Sequence, residues 1–328
     1  MTDTIRGSLC LALDFGGTKL AAGIVDWQSG RVLREARCRT GEASGAEGQI
    51  ADMLGLVDGL LAAMPAGEVL SGAGVSFGGP VDTASGTVLQ SHHVPGWENL
   101  PLASRLSCRL GLPVLIENDA NAVALGELYY GAGKGVEDLV YITISTGIGG
   151  GVILGGKLYR GNHGLAGEVG HMVVRPDGPL CTCGNHGCLE ALASGLSIAR
   201  RAQEALASGQ SSQLLALAGG DAQAITAETV FRAARSGDGL AQKVVAEAAA
   251  DLGLGIAMLC SIVDPARVIL GGGVAKAGEQ LLAPVRESFR RYAFPMLAER
   301  VEIVRAAAID EGGLLGAAAL VARAAMPG

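Results

Sequence analysis

No apolar run precedes Cys10, and the opening MTDTIRGS is made of small, polar and charged residues, so no secretory leader is expected. There is no basic excess. The formal charge of −7 leaves no stripe of lysine and arginine to neutralise phosphates, which argues against a nucleic-acid face. The richest late apolar run, residues 252 to 263, is short for a bilayer span. The 51 glycines follow no Gly-X-Y period, and no low-complexity linker interrupts the chain. Seven cysteines are an odd count, which fits a reducing compartment better than a disulfide scaffold. The string GxxxxGK[ST] is absent, which excludes a P-loop enzyme. What these absences leave is a soluble cytoplasmic protein, and 328 residues suit two domains of ordinary size.

The richest stretch is 168 to 190, EVGHMVVRPDGPLCTCGNHGCLE. It sets His171, Cys181, Cys183 and Cys188 at separations of ten, two and five residues. One imidazole and three thiolates make a closed tetrahedral zinc set with no position for water, so a zinc ion here is structural. Gly184 and Gly187 permit the tight turns that a knot of this size needs. Glu168 and Glu190 flank the cluster and are placed to meet a ligand from a rigid support. Scattered core cysteines, the bland alternative, rarely arrive as CxC…C beside a histidine.

Three apolar strands are each followed directly by a glycine-bearing turn. Residues 9 to 15 lead into Gly16, Gly17, Thr18 and Lys19 and then a second strand at 20 to 25. Residues 139 to 144 lead into a turn at 145 to 151, with a second strand at 152 to 154, and 267 to 270 open onto Gly271, Gly272 and Gly273. Tight hairpins use the same residues. Equally, backbone N–H groups freed by glycine can surround phosphate oxygens, with Asp14 holding magnesium through water and Lys19 adding positive charge. A dinucleotide fingerprint fits poorly, because the first turn joins two strands. Asp119 falls where a strand at 113 to 116 gives way to an alanine-rich helix at 120 to 130, as a cap or as a charge held by the helix N-terminus. Lys157 and Arg160 read as surface residues, and Trp97 as packing. The fold class is α/β. The domains are expected at 1 to 118 and 119 to 311, with a closing helix near 312 to 326 returning to the first.

LDFGGTK at 13 to 19, SFGGPVD at 76 to 82, VPGW at 94 to 97, ENDANA at 117 to 122, STGIGGG at 145 to 151, EVGHM at 168 to 172, CTCGNHGCLE at 181 to 190 and ILGGGV at 269 to 274 occur in this order. Together they resemble the ROK family of sugar kinases, on the side of its bacterial glucokinases, over roughly residues 10 to 320. The resemblance implies two ribonuclease-H-like domains of the actin-like ATPase kind around a cleft, assembled as homodimers or homotetramers. It implies ATP, magnesium and a structural zinc, and phosphorylation of the 6-hydroxyl of a hexose, glucose first. Asp119 matches the catalytic base. Asn118, Glu168, His171 and Glu190 match sugar contacts, with His171 also a zinc ligand, and Gly79 and Pro80 line the sugar site. Asp14, Gly16, Gly17, Thr18 and Lys19 match one phosphate loop and Thr146, Gly147, Gly149 and Gly150 the other. Gly271, Gly272 and Gly273 match the nucleotide-side loop.

Three alternatives accompany this reading. Ser91, His92 and His93 replace the residues many family glucokinases carry before VPGW, which leaves N-acetylmannosamine, fructose or allose open as the sugar. The family's repressors carry a helix-turn-helix domain before the first phosphate strand; with that strand at residue 9, none is expected. A sugar-sensing protein without catalysis is disfavoured by Asp14, Lys19, Asn118 and Asp119 together.

Overall fold

The computed structural model describes residues 7–17, 19–40, 45–91 and 94–325; Thr18, His92 and His93 lie outside the described residues. The chain forms two compact units, Met1–Gly135 with Leu158–Ala166 and Asp310–Gly328, and Val136–Lys157 with Gly167–Ile309.

In the first unit, β1 (Leu9–Phe15) and β2 (Lys19–Asp26) form an antiparallel hairpin, and β3 (Arg31–Arg39) adds to β2. β3 was not anticipated: four arginines interrupt its apolar alternation, which suits an exposed edge strand. After α1 (Gly45–Ala62), β4 (Leu70–Phe77) pairs with β1 in parallel. A small hairpin, β5 (Val81–Asp82) and β6 (Thr87–Val88), and α2 (Leu102–Leu110) lead to β7 (Val114–Asn118), parallel to β4. The sheet order is β3-β2-β1-β4-β7. Leu11, Leu13 and Phe15 share one core with Met53 of α1 and Leu106 of α2. Trp97 is fully buried there, edge-on to Phe15 and Phe77.

The division expected at residue 118 moves. α3 (Asp119–Tyr130) stays in the first unit because it lies against the last helix, α11 (Gly312–Ala325). A Cβ at Gly126 would stand 2.8 Å from the Gly316 backbone nitrogen, so only glycine permits this approach. Gly74 of β4 is tighter still, with a Cβ position 1.9 Å from the Ala317 carbonyl oxygen of α11.

In the second unit, β8 (Leu139–Ile144) and β9 (Ile148–Leu154) are antiparallel. The chain leaves the unit at β10 (Lys157–Tyr159) and returns through α4 (Leu189–Ala193), α5 (Gly195–Ala207), α6 (Leu214–Leu217), α7 (Ala227–Arg235) and α8 (Gly239–Val263). Next come β11 (Arg267–Gly271), α9 (Glu279–Tyr292), α10 (Pro295–Arg300) and β12 (Glu302–Arg305), in a sheet ordered β10-β9-β8-β11-β12. The turn expected over 145 to 151 is shorter: Gly149 and Gly150 belong to β9 and pair with Thr143 and Ile142. α8 contains the apolar run 252 to 263, and by length and composition it could cross a membrane; 61% of its most apolar window is buried. Leu252 and Ile256 of α8 join Leu189, Ile198, Val230 and Phe289 in the second core.

The backbone contact at Gly74 yields a prediction. Gly74→Ala should lower the denaturant midpoint, destabilising by about 1–3 kcal/mol through overpacking. Gly59→Ala, on α1 where nothing lies within 4 Å of the Cβ position, should leave the midpoint unchanged or raise it.

Candidate functional site

In the first unit, β1, β4 and β7 run parallel and end on one edge. Asp14, Ser76 and Glu117 are register partners across them, so three polar side chains form a row on one face of an otherwise apolar sheet. The Ser76 hydroxyl donates to Asp14 Oδ1 at 3.0 Å. Gly313, in the first turn of α11, lies so close that a Cβ would stand 2.3 Å from the Asp14 carboxyl carbon. Asp14 thus sits against a helix N-terminus, where N–H groups favour negative charge. Only half-buried by exposed area, Asp14 is still densely surrounded: desolvation raises its pKa against the Ser76 bond and the charges of Lys19 and Arg37. The adjoining hairpin is closed by Gly16 N–H donating to Lys19 O at 3.1 Å.

β7 ends and α3 begins within two residues. Asn118 is the N-cap: its Oδ1 accepts from Asn121 N–H at 3.2 Å, and its Nδ2 donates to Gly79 O at 3.2 Å and to Asp119 Oδ1 at 3.1 Å. Asp119 therefore does not cap the helix. Its Oδ1 accepts from Ala120 N–H at 2.8 Å, while Oδ2 faces Gly78. Burial first, and then the Asp14 charge, push the Asp119 carboxyl up to about 6, opposed by the Ala120 and Asn118 hydrogen bonds. Pro80 follows Gly79, and its carbonyl accepts from Leu89 N–H at 3.0 Å.

Glu117, Ser76 and Arg160 escaped the sequence reading. Glu117 is 1% exposed, and its Oε1 accepts from Asn118 N–H at 3.1 Å and Asn121 Nδ2 at 3.2 Å. Its Oε2 takes Arg160 Nε at 2.7 Å and a terminal guanidinium nitrogen at 2.5 Å. Arg160 is thus half-buried and paired rather than free on the surface, whereas Lys157 is exposed as expected. The available signal was strand alternation, which turns Glu117 and Ile116 to opposite faces of β7.

In the second unit, Glu190 lies in the first turn of α4 and its Oε2 accepts from Ile148 N–H at 2.9 Å. A Cβ at Gly147 would stand 2.4 Å from that oxygen, so the β8–β9 turn and Glu190 are brought together. Thr146 is exposed on the same turn. Gly195 N–H donates to Ser145 O at 2.7 Å, and a Cβ at Gly272 would stand 2.5 Å from Ile144 O. The turn after β8, the start of α5 and the Gly271–Gly273 stretch at the end of β11 therefore converge. Beyond the last of these lies an open pocket of about 540 Å³, lined by Arg235, Gln242, Ala277, Glu279 and Gln280.

The donor atoms of His171, Cys181, Cys183 and Cys188 all lie within 4.8 Å of one another, an arrangement able to hold a metal ion. Cys181 Sγ is 3.7 Å from His171 Nδ1, and Cys183 Sγ is 3.6 Å from Cys188 Sγ. His171 Nε2 is left on the Glu168 side, 3.9 Å from its carboxylate. Gly187 has a φ of 70° and a Cβ position 1.5 Å from Arg175 O, so glycine is obligatory there. His186 is exposed and contacts Gly178 O at 3.1 Å, outside the donor set.

The sequence profile of the ROK family matches residues 10–324. The chain belongs to the ROK family. A glucokinase of Thermotoga maritima is 37% identical over 311 residues, 95% of this chain and 96% of that protein. An Escherichia coli N-acetylmannosamine kinase is 34% identical over 94% of this chain and 97% of that protein. The crystal structure of a ROK family glucokinase from Streptomyces griseus in complex with glucose and AMPPNP superposes with a TM-score of 0.84. It is 40% identical and covers 96% of this chain and 99% of that one.

In this ROK-family chain Asp14 raises the Asp119 carboxyl, so removing its charge should lower it. Carboxylate-detected NMR with labelled aspartate should place the Asp119 midpoint near 6 in the wild type and below that in Asp14→Asn. An unmoved midpoint would show that the two acids do not interact.

Proposed function

We propose that this chain is an ATP-dependent hexose kinase transferring the γ-phosphoryl group to the 6-hydroxyl of glucose, with Asp119 as general base. The observation that carries this reading is the Asp119 carboxyl at the start of α3, tied through Oδ1 to the Asn118 amide and the Ala120 N–H and raised by burial and the Asp14 charge. The overall match to a ROK glucokinase bound to glucose and AMPPNP supports it. Phosphoryl transfer asks mainly for alignment and for neutralisation of developing charge. As the sugar oxygen bonds to phosphorus and the bond to ADP breaks, Asp119 takes the hydroxyl proton. Asn118, Glu168, His171 and Glu190 contact the sugar hydroxyls, and Gly79 and Pro80 line the sugar's site.

Gly16, Gly17, Thr18 and Lys19 hold phosphate oxygens, as do Thr146, Gly147, Gly149 and Gly150. Asp14 would hold a magnesium ion, through water, and that ion would offset phosphate charge. Gly271, Gly272 and Gly273 border the nucleotide, and the neighbouring 540 Å³ pocket has room for the nucleoside. The two sheets share one strand order, an antiparallel hairpin followed by parallel strands, which supports reading each unit as ribonuclease-H-like in the actin-like ATPase manner. The protein acts in the cytoplasm as a homodimer or homotetramer, free of nucleic acid and membrane.

The donor set of the knot fits zinc. Bonds of about 2.3 Å to tetrahedral sulfurs place those sulfurs about 3.8 Å apart, close to the 3.6 Å between Cys183 and Cys188. With four protein ligands such an ion supplies rigidity to the loop bearing Glu168 and His171, and no reaction step. The similarity to N-acetylmannosamine kinases keeps an N-acetylated amino sugar as the second reading. An ATP-coupled screen of glucose, mannose, fructose, allose, N-acetylglucosamine and N-acetylmannosamine separates the two.

Asp119→Asn should lower turnover by roughly 10²- to 10⁴-fold with a much smaller change in glucose binding. Wild-type kcat/KM should fall as pH drops below about 6, because the base is then protonated. Turnover above about a tenth of wild type in the variant would remove Asp119 from the role. Elemental analysis should find about one zinc per chain; Cys183→Ser should lose it and weaken glucose affinity as well as stability. Metal-free active protein would sink the zinc assignment.

A further inference from the structure

Glu117 is buried two residues before the proposed base, and the reaction above gives it no task. Its environment is specific. Four N–H donors converge on its two oxygens: Asn118 N–H and Asn121 Nδ2 on Oε1, and two guanidinium nitrogens of Arg160 on Oε2. A glutamine would present one acceptor oxygen and an NH₂ group that opposes the guanidinium, so this pocket requires a carboxylate. The two Oε1 donors belong to the turn that carries the base. Asn118 caps α3 and also donates to Asp119, and Asn121 supplies the N–H that Asn118 accepts. Glu117 thus supports, through Asn118, the orientation of Asp119.

The pair also sets local charge. Asp14 and Glu117 occupy one row with Ser76 between them, and Asp119 follows on the same edge. Asp14 acts on Asp119 directly, whereas the Glu117 carboxylate carries its own cation. Lys19 and Arg37 act on Asp14. The cation on Glu117 is Arg160, carried by Leu158–Ala166, a segment that returns to the first unit between two stretches of the second. Arg160 O accepts from Ala166 N–H at 3.0 Å, which closes that segment into a loop.

We propose that Glu117 and Arg160 are positioning residues for phosphoryl transfer: Glu117 fixes the turn presenting Asn118 and Asp119, and Arg160 cancels its charge beside the base. This rests on the reading of Asp119 as base. The groups facing Asp119 are Asp14, the Asn118 amide and the Ala120 N–H, and those facing Glu117 are Arg160, Asn118 N–H and the Asn121 amide.

The test compares full-length wild type, Glu117→Gln, Arg160→Met, the double variant and Asp119→Asn, all with magnesium-ATP and glucose across pH 5 to 9, alongside thermal melting. Glu117→Gln leaves a net positive charge beside the base and should move the acid limb of kcat/KM to lower pH. Arg160→Met leaves a net negative charge and should move it to higher pH, each by about half a unit or more. The double variant should return the limb toward its wild-type position. Both single variants should lose kcat about tenfold or more with the nucleotide KM little changed. Limbs that stay put in both single variants, or losses that only track melting temperature, overturn the proposal. Should Arg160→Met not fold, the near-isosteric Glu117→Gln decides alone, by its downward shift or the lack of one. Failure of the underlying reading is seen separately, as activity surviving in Asp119→Asn.

Discussion

Close contact between backbones, with glycine in place of a side chain, is the constraint on which the first unit depends. Gly74 of β4 meets the Ala317 carbonyl, Gly126 of α3 meets Gly316, and Gly313 meets Asp14. A single methyl group at any of these positions would push α11 away from the sheet or the carboxylate. With α11 seated, its N-terminus comes down on Asp14 and its side packs on α3, whose first residue is Asp119. The acids can be desolvated without being abandoned, because helix N–H groups and the Ser76 hydroxyl take the place of water.

Three carboxylates on one edge are thereby given three environments. Asp14 is raised by burial but stands among Ser76, Lys19 and Arg37. Glu117 is enclosed and fully hydrogen-bonded to Arg160, Asn118 and Asn121. Asp119 has one oxygen in hydrogen bonds and a carboxyl near 6. Placing like groups in unlike surroundings is how a protein separates an acid that must exchange protons from those that must not.

The second unit reaches similar definition through a knot of side chains. Arg175, between His171 and Cys181, pairs with Asp251 of α8, which also receives Arg201 of α5 at 2.5 Å. The loop is thus fastened to the helical core by a buried carboxylate. Glu190 links the knot to the β8–β9 turn through Ile148 N–H, so the position of the glycine turn depends on the loop that follows it.

Much was legible in the sequence, because its signals are local. Cysteine spacing, apolar runs ending in glycine and the Asn-Asp pair before an alanine-rich helix located the knot, the β1–β2 and β8–β9 hairpins and the start of α3 without knowledge of any distant residue. Other features belong to pairs far apart in the chain. Burial of Glu117 with Arg160, the return of Leu158–Ala166 to the first unit and the contact of Gly313 with Asp14 carry no local periodicity. The edge strand β3 was hidden because its exposed face is charged. Residue types and spacing determined which groups were available for chemistry; only the tertiary structure decided which acid is paired and which is left near neutrality, because desolvation and charge proximity act between neighbours in space.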